Sequence, residues 1–143
     1  MYIYFLLASI AAVSFYAWSN QEVFNSFAMK PYRVLKLNEW HRLITSGFIH
    51  VDYFHLFFNL YALYSFGQVT EKMFIFYLGE YGGIYMILFF IAAVVISDLT
   101  SLNKHKNNVY YSSVGASGGV SAFILFFVIN QPMSTVSLLF IPM

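Results

Sequence analysis

Long apolar runs alternate with short polar stretches along this chain, and their lengths predict a series of membrane-crossing helices. Residues 2–18 form an uncharged apolar run, close to the roughly 20 residues that span the hydrocarbon core of a bilayer. No Lys or Arg precedes the run and no small-x-small cleavage site follows it, so it reads as a retained span rather than a signal peptide. Residues 19–50 mix Glu22, Lys30, Arg33, Lys36, Glu39 and Arg42 with Phe24, Phe27, Trp40 and Phe48. Such interleaving suits an ordered, partly helical loop at headgroup level, packed on the bundle. The apolar pattern returns over 54–70, with His55, Asn59 and Ser65 inside it, Gly67 closing it, and Glu71 and Lys72 just beyond. A third span covers 84–97, entered through Gly79, Gly82 and Gly83, and a polar loop with Lys104, His105 and Lys106 covers 98–113. The fourth span, 115–130, stops at Asn130-Gln131-Pro132, and Val136 to Ile141 begins an apolar stretch too short to cross.

Composition agrees with this pattern. The chain is 60% hydrophobic, 22% aromatic and 9% charged, against roughly 45–50% apolar and 25% charged in soluble domains. It therefore reads as an all-α membrane protein: one domain over 1–143, with four complete spans and the start of a fifth. A formal net charge of +1 with no clustered basic face excludes a nucleic-acid partner. The absence of cysteine excludes disulfides, thiolate zinc sites and cysteine nucleophiles. His41, His50, Asp52 and His55 lie near one another in sequence. Yet there is no His-Glu-x-x-His and no pair of histidines three or four apart, so neither a metal nor another cofactor is expected.

Candidate chemistry lies in the polar residues that the spans retain. Such residues are costly in hydrocarbon and usually face the bundle interior, often marking function. His55 and Asn59 are four apart and share one helix face. Both can donate hydrogen bonds, either bridging helices or stabilising negative charge that develops on a substrate carbonyl. Ser117 sits in Gly115-Ala116-Ser117-Gly118-Gly119, at the mouth of the fourth span. It is either a small packing residue, since Gly115/Gly119 and Gly118/Ala122 have the spacing that lets helices approach, or a nucleophile. The G-x-S-x-G pattern also fits the elbow of soluble hydrolases, but that elbow needs a strand ahead of it and an open sheet, which membrane spans do not provide.

Four stretches together resemble the rhomboid family of intramembrane serine proteases. They are Trp40-His41-Arg42 with Thr45 and Phe48; His50, His55 and Asn59 as His-x4-His-x3-Asn; Gly67 with Glu71-Lys72; and Gly115-Ala116-Ser117-Gly118. The resemblance implies a six-helix core, Ser117 as nucleophile, and His55 and Asn59 as oxyanion-hole donors, with His50, Gly115 and Gly118 lining the site. It further implies transmembrane protein substrates and a multi-pass location in a bacterial-type plasma membrane. The family's general base is a histidine on the sixth span, and none of His41, His50, His55 or His105 matches that position. The expectation is that this is the N-terminal part of a longer protease, inactive alone; a non-catalytic rhomboid-like binding or chaperone module is the alternative. Under the family topology the outer loops carry Lys30, Arg33, Lys36, Arg42, Lys104 and Lys106, against Lys72 inside. The positive-inside rule favours the opposite orientation.

Overall fold

A computed structural model describes residues 1–132, together with the backbone of a two-residue antiparallel pairing, Ser137–Leu138 with Ile141–Pro142. The fifth-span start expected from Val136 to Ile141 otherwise lies outside the described residues. The described chain is an α-helical bundle built from α1 (Tyr2–Ser19), α5 (Tyr53–Leu78), α6 (Gly82–Lys104) and α7 (Ser117–Asn130). Two stretches, Tyr2–Ser19 and Tyr53–Lys104, are long and apolar enough to cross a membrane, and α7 is a shorter apolar helix.

Each long helix buries one stripe. In α1 it is Ile3, Leu6, Ile10, Ser14 and Ala17, in α6 Gly83, Met86, Phe90 and Val94, and in α7 Gly119, Val120, Phe123 and Phe127. The steps of three and four residues place each set on a single helix face. These stripes meet Leu56, Leu63 and Phe66 of α5 in one core. There Phe90 and Phe123 pack edge to face with centroids 6.1 Å apart, and Phe66 and Phe127 do so at 5.3 Å.

Two boundaries differ from the sequence reading. Gly67 does not close the second span: α5 runs through it to Leu78 and ends at Gly79, whose φ of +67° suits glycine. Gly67 is instead a contact point, where a Cβ would lie 2.3 Å from Ile3 Cδ1 of α1. One turn on, buried Glu71 accepts the N–H groups of Tyr2 at 2.7 Å and Ile3 at 3.2 Å and pairs with the Met1 ammonium. It thereby supplies from α5 the cap that α1 lacks in its own sequence. The third span also continues past the hydropathy drop, so Asp98 and Ser101 are helical rather than in a loop.

The 19–50 segment folds into short helices α2 (Gln21–Phe27), α3 (Pro31–Leu37) and α4 (Arg42–Thr45), followed by a 3-10 turn at Ser46–Phe48. Asn20 caps α2 through bonds from Glu22 N and Val23 N. Pro31 opens α3, and Asn38, at φ +58°, ends it. Arg42 ties these pieces together: its buried guanidinium donates to the carbonyls of Asn25 and Ala28, each at 2.7 Å, and to Glu39. Arg33 grips the same Glu39 in a fork, at 2.8 and 2.7 Å. The Arg33 bonds, and then Arg42, hold the Glu39 carboxyl down at about 2. Its stabilising pairing is therefore complete above the ordinary carboxylate range and is lost as pH falls towards 2.

Removing the Arg42 guanidinium leaves two carbonyls and a carboxylate without their donor, so Arg42→Ala is expected to lower stability by about 3 kcal/mol or more. Arg42→Lys is expected to recover little of the loss, because an ammonium cannot reproduce the fork. Thermal unfolding in detergent micelles measures both, and a loss under ~1 kcal/mol for Arg42→Ala would contradict this role.

Candidate active site

The backbone entering α7 is pinned residue by residue. Ser113 exchanges two bonds with Met29, Met29 N to Ser113 O at 2.9 Å and Ser113 N to Met29 O at 3.0 Å. Gly115 N donates to Ser46 O at 2.9 Å. Ala116 N donates to His50 Nε2 at 3.1 Å. All three partners belong to the 19–50 segment, which thus fixes the turn from which Ser117 projects.

His50 is fully buried and is held from α1. Its Nδ1 lies 3.0 Å from Ser14 Oγ, Ser14 Oγ donates to Phe48 O at 3.0 Å, and Trp18 Nε1 donates to His50 O at 2.8 Å. Because Nε2 accepts from Ala116, the proton of the neutral ring sits on Nδ1 and points to Ser14, whose own hydrogen goes to Phe48. The His50 ring thus accepts a backbone N–H next to Ser117.

Asp52 caps α5 by accepting from His55 N at 2.8 Å, which puts His55 in the first turn of that helix. The His55 ring packs edge to face on His50, centroids 4.9 Å apart, and lies over Gly115. A Cβ at Gly115 would stand 2.6 Å from His55 Cε1 and 2.8 Å from Nε2, and φ is +125° there. Only glycine satisfies both conditions. Asn59, one turn along α5, is buried and donates through Nδ2 to His55 O at 2.8 Å, leaving one amide hydrogen.

Ser117 is the first residue of α7 and is exposed. Among the described residues its hydroxyl takes part in no hydrogen bond. The α7 N-terminus has no side-chain cap, and its first intrahelical bond runs from Val120 N to Ala116 O. The N–H groups of Ser117, Gly118 and Gly119 are therefore left as donors at the positive end of the helix dipole. Gly118 and Gly119 also serve packing: a Cβ would lie 2.1 Å from Ser97 Oγ at Gly118 and 2.3 Å from the Phe90 ring at Gly119. Both sequence readings of the small residues thus meet here, helix approach on the α6 side and an open serine on the other.

Beside Ser117 is a cavity of about 390 Å³, bounded by α6, α7, the 113–115 turn and Ser46. Sequence reasoning missed the first-turn N–H groups, Ser46 and Asp98. Ser97, Asp98 and Ser101 carried a usable signal, since these polar residues at the end of an apolar run fall on neighbouring positions of a continued helix. His41 and His105 lie apart from this arrangement: His41 Nε2 is 3.1 Å from Ser26 O, and His105 stacks on Tyr111 at 3.7 Å.

Burial, and second the charge of His55, lower the His50 pKa from 6.5 to about 4. The unfolded chain takes up this proton near 6.5 and the folded one only near 4, so the stabilisation is complete above about 6.5 and is lost as pH falls towards 4. Thermal unfolding in micelles is expected to show a loss of ~2 kcal/mol at most between pH 7 and 5. His50→Gln should flatten that slope, and a variant as pH-sensitive as the parent would refute the assignment.

A family model described as the Rhomboid domain matches residues 37–143. The chain is similar to "Rhomboid protease GluP" of Bacillus subtilis (strain 168), at 31% identity over 102 residues. That match covers 71% of this chain and 18% of the relative, so the chain spans about a fifth of that protein's length. On the extent of the domain match and this identity, the chain belongs to the rhomboid family of integral membrane proteins.

Proposed function

We propose that this chain carries the nucleophile and oxyanion site of an intramembrane serine endopeptidase that cleaves transmembrane protein substrates. One observation carries the proposal: Ser117 stands exposed and unbonded at an uncapped helix N-terminus, over a polar cavity, in a turn packed under His55. In this reading Ser117 Oγ attacks the scissile carbonyl while a base removes its proton. The carbonyl oxygen becomes an oxyanion, met by the N–H groups of the first α7 turn and by His55 and Asn59. Asn59 has an amide hydrogen to give, and the Gly115 contact holds the His55 ring over the turn. His50 holds Ala116 and so aims the serine, while Gly115 and Gly118 leave room for substrate backbone.

The base is assigned, as in the family, to a histidine on a further span outside residues 1–132; His50 is unsuited because both its ring nitrogens are engaged. The proposal includes one rhomboid-like domain over 1–143, with α1, α5, α6 and α7 as four crossings, in a bacterial-type plasma membrane. A second reading, a non-catalytic module that binds membrane clients, is favoured by the same free Ser117 hydroxyl, which has no base beside it among the described residues.

The two readings separate in the protein expressed from its complete gene, with a single-span reporter substrate in proteoliposomes. Ser117→Ala is expected to abolish cleavage while leaving the unfolding temperature within a degree or two, and Asn59→Ala to slow turnover about tenfold or more. Unchanged turnover in Ser117→Ala would remove the nucleophile assignment, and client binding without any cleavage by the parent protein would favour the binding module.

A further inference from the structure

Helix α1 contributes no group to the proposed reaction, yet it holds His50 at two points. Ser14 and Trp18 lie four residues apart and so share one face of α1. Trp18 Nε1 donates to His50 O at 2.8 Å, and Ser14 Oγ lies 3.0 Å from His50 Nδ1. Ser14 and His50 are both fully buried, so bulk solvent reaches neither. The bonds form one chain, from Ala116 N through the two ring nitrogens and Ser14 Oγ to Phe48 O, with links of 3.1, 3.0 and 3.0 Å. Its ends settle its direction, because a backbone N–H only donates and a carbonyl only accepts. Every link therefore points from Ala116 towards Phe48, which requires the Nδ1–H tautomer of His50. The Ala116 end matters because Gly115 precedes it. With φ at +125° and no side chain, Gly115 does little to resist rotation of the peptide unit it shares with Ala116. Gly115 N is held by Ser46 O and Ala116 O by Val120 N, and the bond to His50 fixes the plane between them, one residue ahead of Ser117.

We infer that Ser14 is a positioning residue for Ser117: by accepting the Nδ1 proton it keeps His50 in the tautomer whose Nε2 can hold the N–H of Ala116. The inference rests on the protease reading and adds to it a residue of the first helix. Which nitrogen of a histidine carries the proton is set by the bond that the other nitrogen makes. Without the Ser14 hydroxyl, Nδ1–H has no acceptor in a buried setting, where an unpaired donor is costly. The ring escapes that cost by carrying its proton on Nε2 instead. Nε2–H then faces the N–H of Ala116, donor against donor, and the bond that fixes the turn is lost. The unit between Gly115 and Ala116 turns, and Ser117 Oγ loses its fixed direction relative to the open N–H groups of the first α7 turn. Ser14 and His50 are buried while Ser117 is exposed, so the loss falls on the attacking step and not on substrate binding.

The test uses the protein expressed from its complete gene, in micelles, with Ser14→Thr, Ser14→Val and Ser14→Ala. Threonine and valine are both β-branched and alike in size, so that pair separates the hydroxyl from packing. Ser14→Ala adds no volume and serves where the larger side chains disturb folding. Nitrogen NMR of the histidine-labelled protein at neutral pH reads the tautomer of each ring, with His50 assigned by His50→Gln. The Nδ1–H form is expected for His50 in the parent and in Ser14→Thr, and the Nε2–H form in Ser14→Val and Ser14→Ala. In cleavage of the single-span reporter, kcat is expected to fall about tenfold in Ser14→Val and Ser14→Ala with KM unchanged, and to stay within about twofold of the parent in Ser14→Thr. Retention of Nδ1–H in Ser14→Val and Ser14→Ala, a tautomer change at parental kcat, or an equal loss in Ser14→Val and Ser14→Thr overturns the positioning role and leaves the nucleophile reading intact. A parent protein that neither cleaves the reporter nor is labelled at Ser117 by a fluorophosphonate overturns both.

Discussion

Four hydrogen bonds made by the backbone of Ser113, Gly115 and Ala116 are the constraint on which the rest of this structure depends. A serine at the start of a membrane helix has no fixed direction of its own, because the preceding turn is free to rotate. Here the turn is stitched to Met29, Ser46 and His50, all from the segment between α1 and α5. That segment is in turn gathered by Arg42, and its exit is held by Ser14 and Trp18 of α1. Order at Ser117 is thus assembled from residues about seventy to a hundred positions earlier.

The bundle meets the cost of polar groups in a membrane protein by pairing most of them inside the helix packing. Glu71 closes the open end of α1, Thr70 bonds Phe66 O on its own helix, and Asn59 bonds His55 O. Unpaired backbone and side-chain groups are expensive in a low-dielectric surrounding. Against that background, the unbonded hydroxyl of Ser117, the orphan Ser113 Oγ and the open donors of the first α7 turn concentrate unsatisfied polarity in one place. Among the described residues, such a concentration of unpaired side-chain groups is what the proposed reacting or binding site requires.

The helical character of the fold was legible because hydropathy reports lipid exposure directly, and the pairing of His55 with Asn59 was legible because helix periodicity converts a spacing of four into a shared face. Hydropathy was blind where polarity and helicity part company. The third span appeared to end at Ser97, yet the backbone ladder carries on to Lys104 and brings Asp98 to the cavity wall. Gly67 resembled a stop signal, yet it is a packing notch for Ile3. The links from Ser14 to His50 and from Met29 to Ser113 join positions 36 and 84 residues apart, and no local pattern announces such pairs.

Gly115 joins two demands of different origin in one missing methyl group. Shrinking His55 would make space for a side chain but leave the left-handed backbone that side chains avoid; reshaping the turn would relieve the backbone but leave the ring in the way. No single exchange elsewhere in the chain opens this position to another amino acid. Any lineage that replaces Gly115 must alter the loop and the ring together, so the residue behaves as a lock on sequence drift around Ser117.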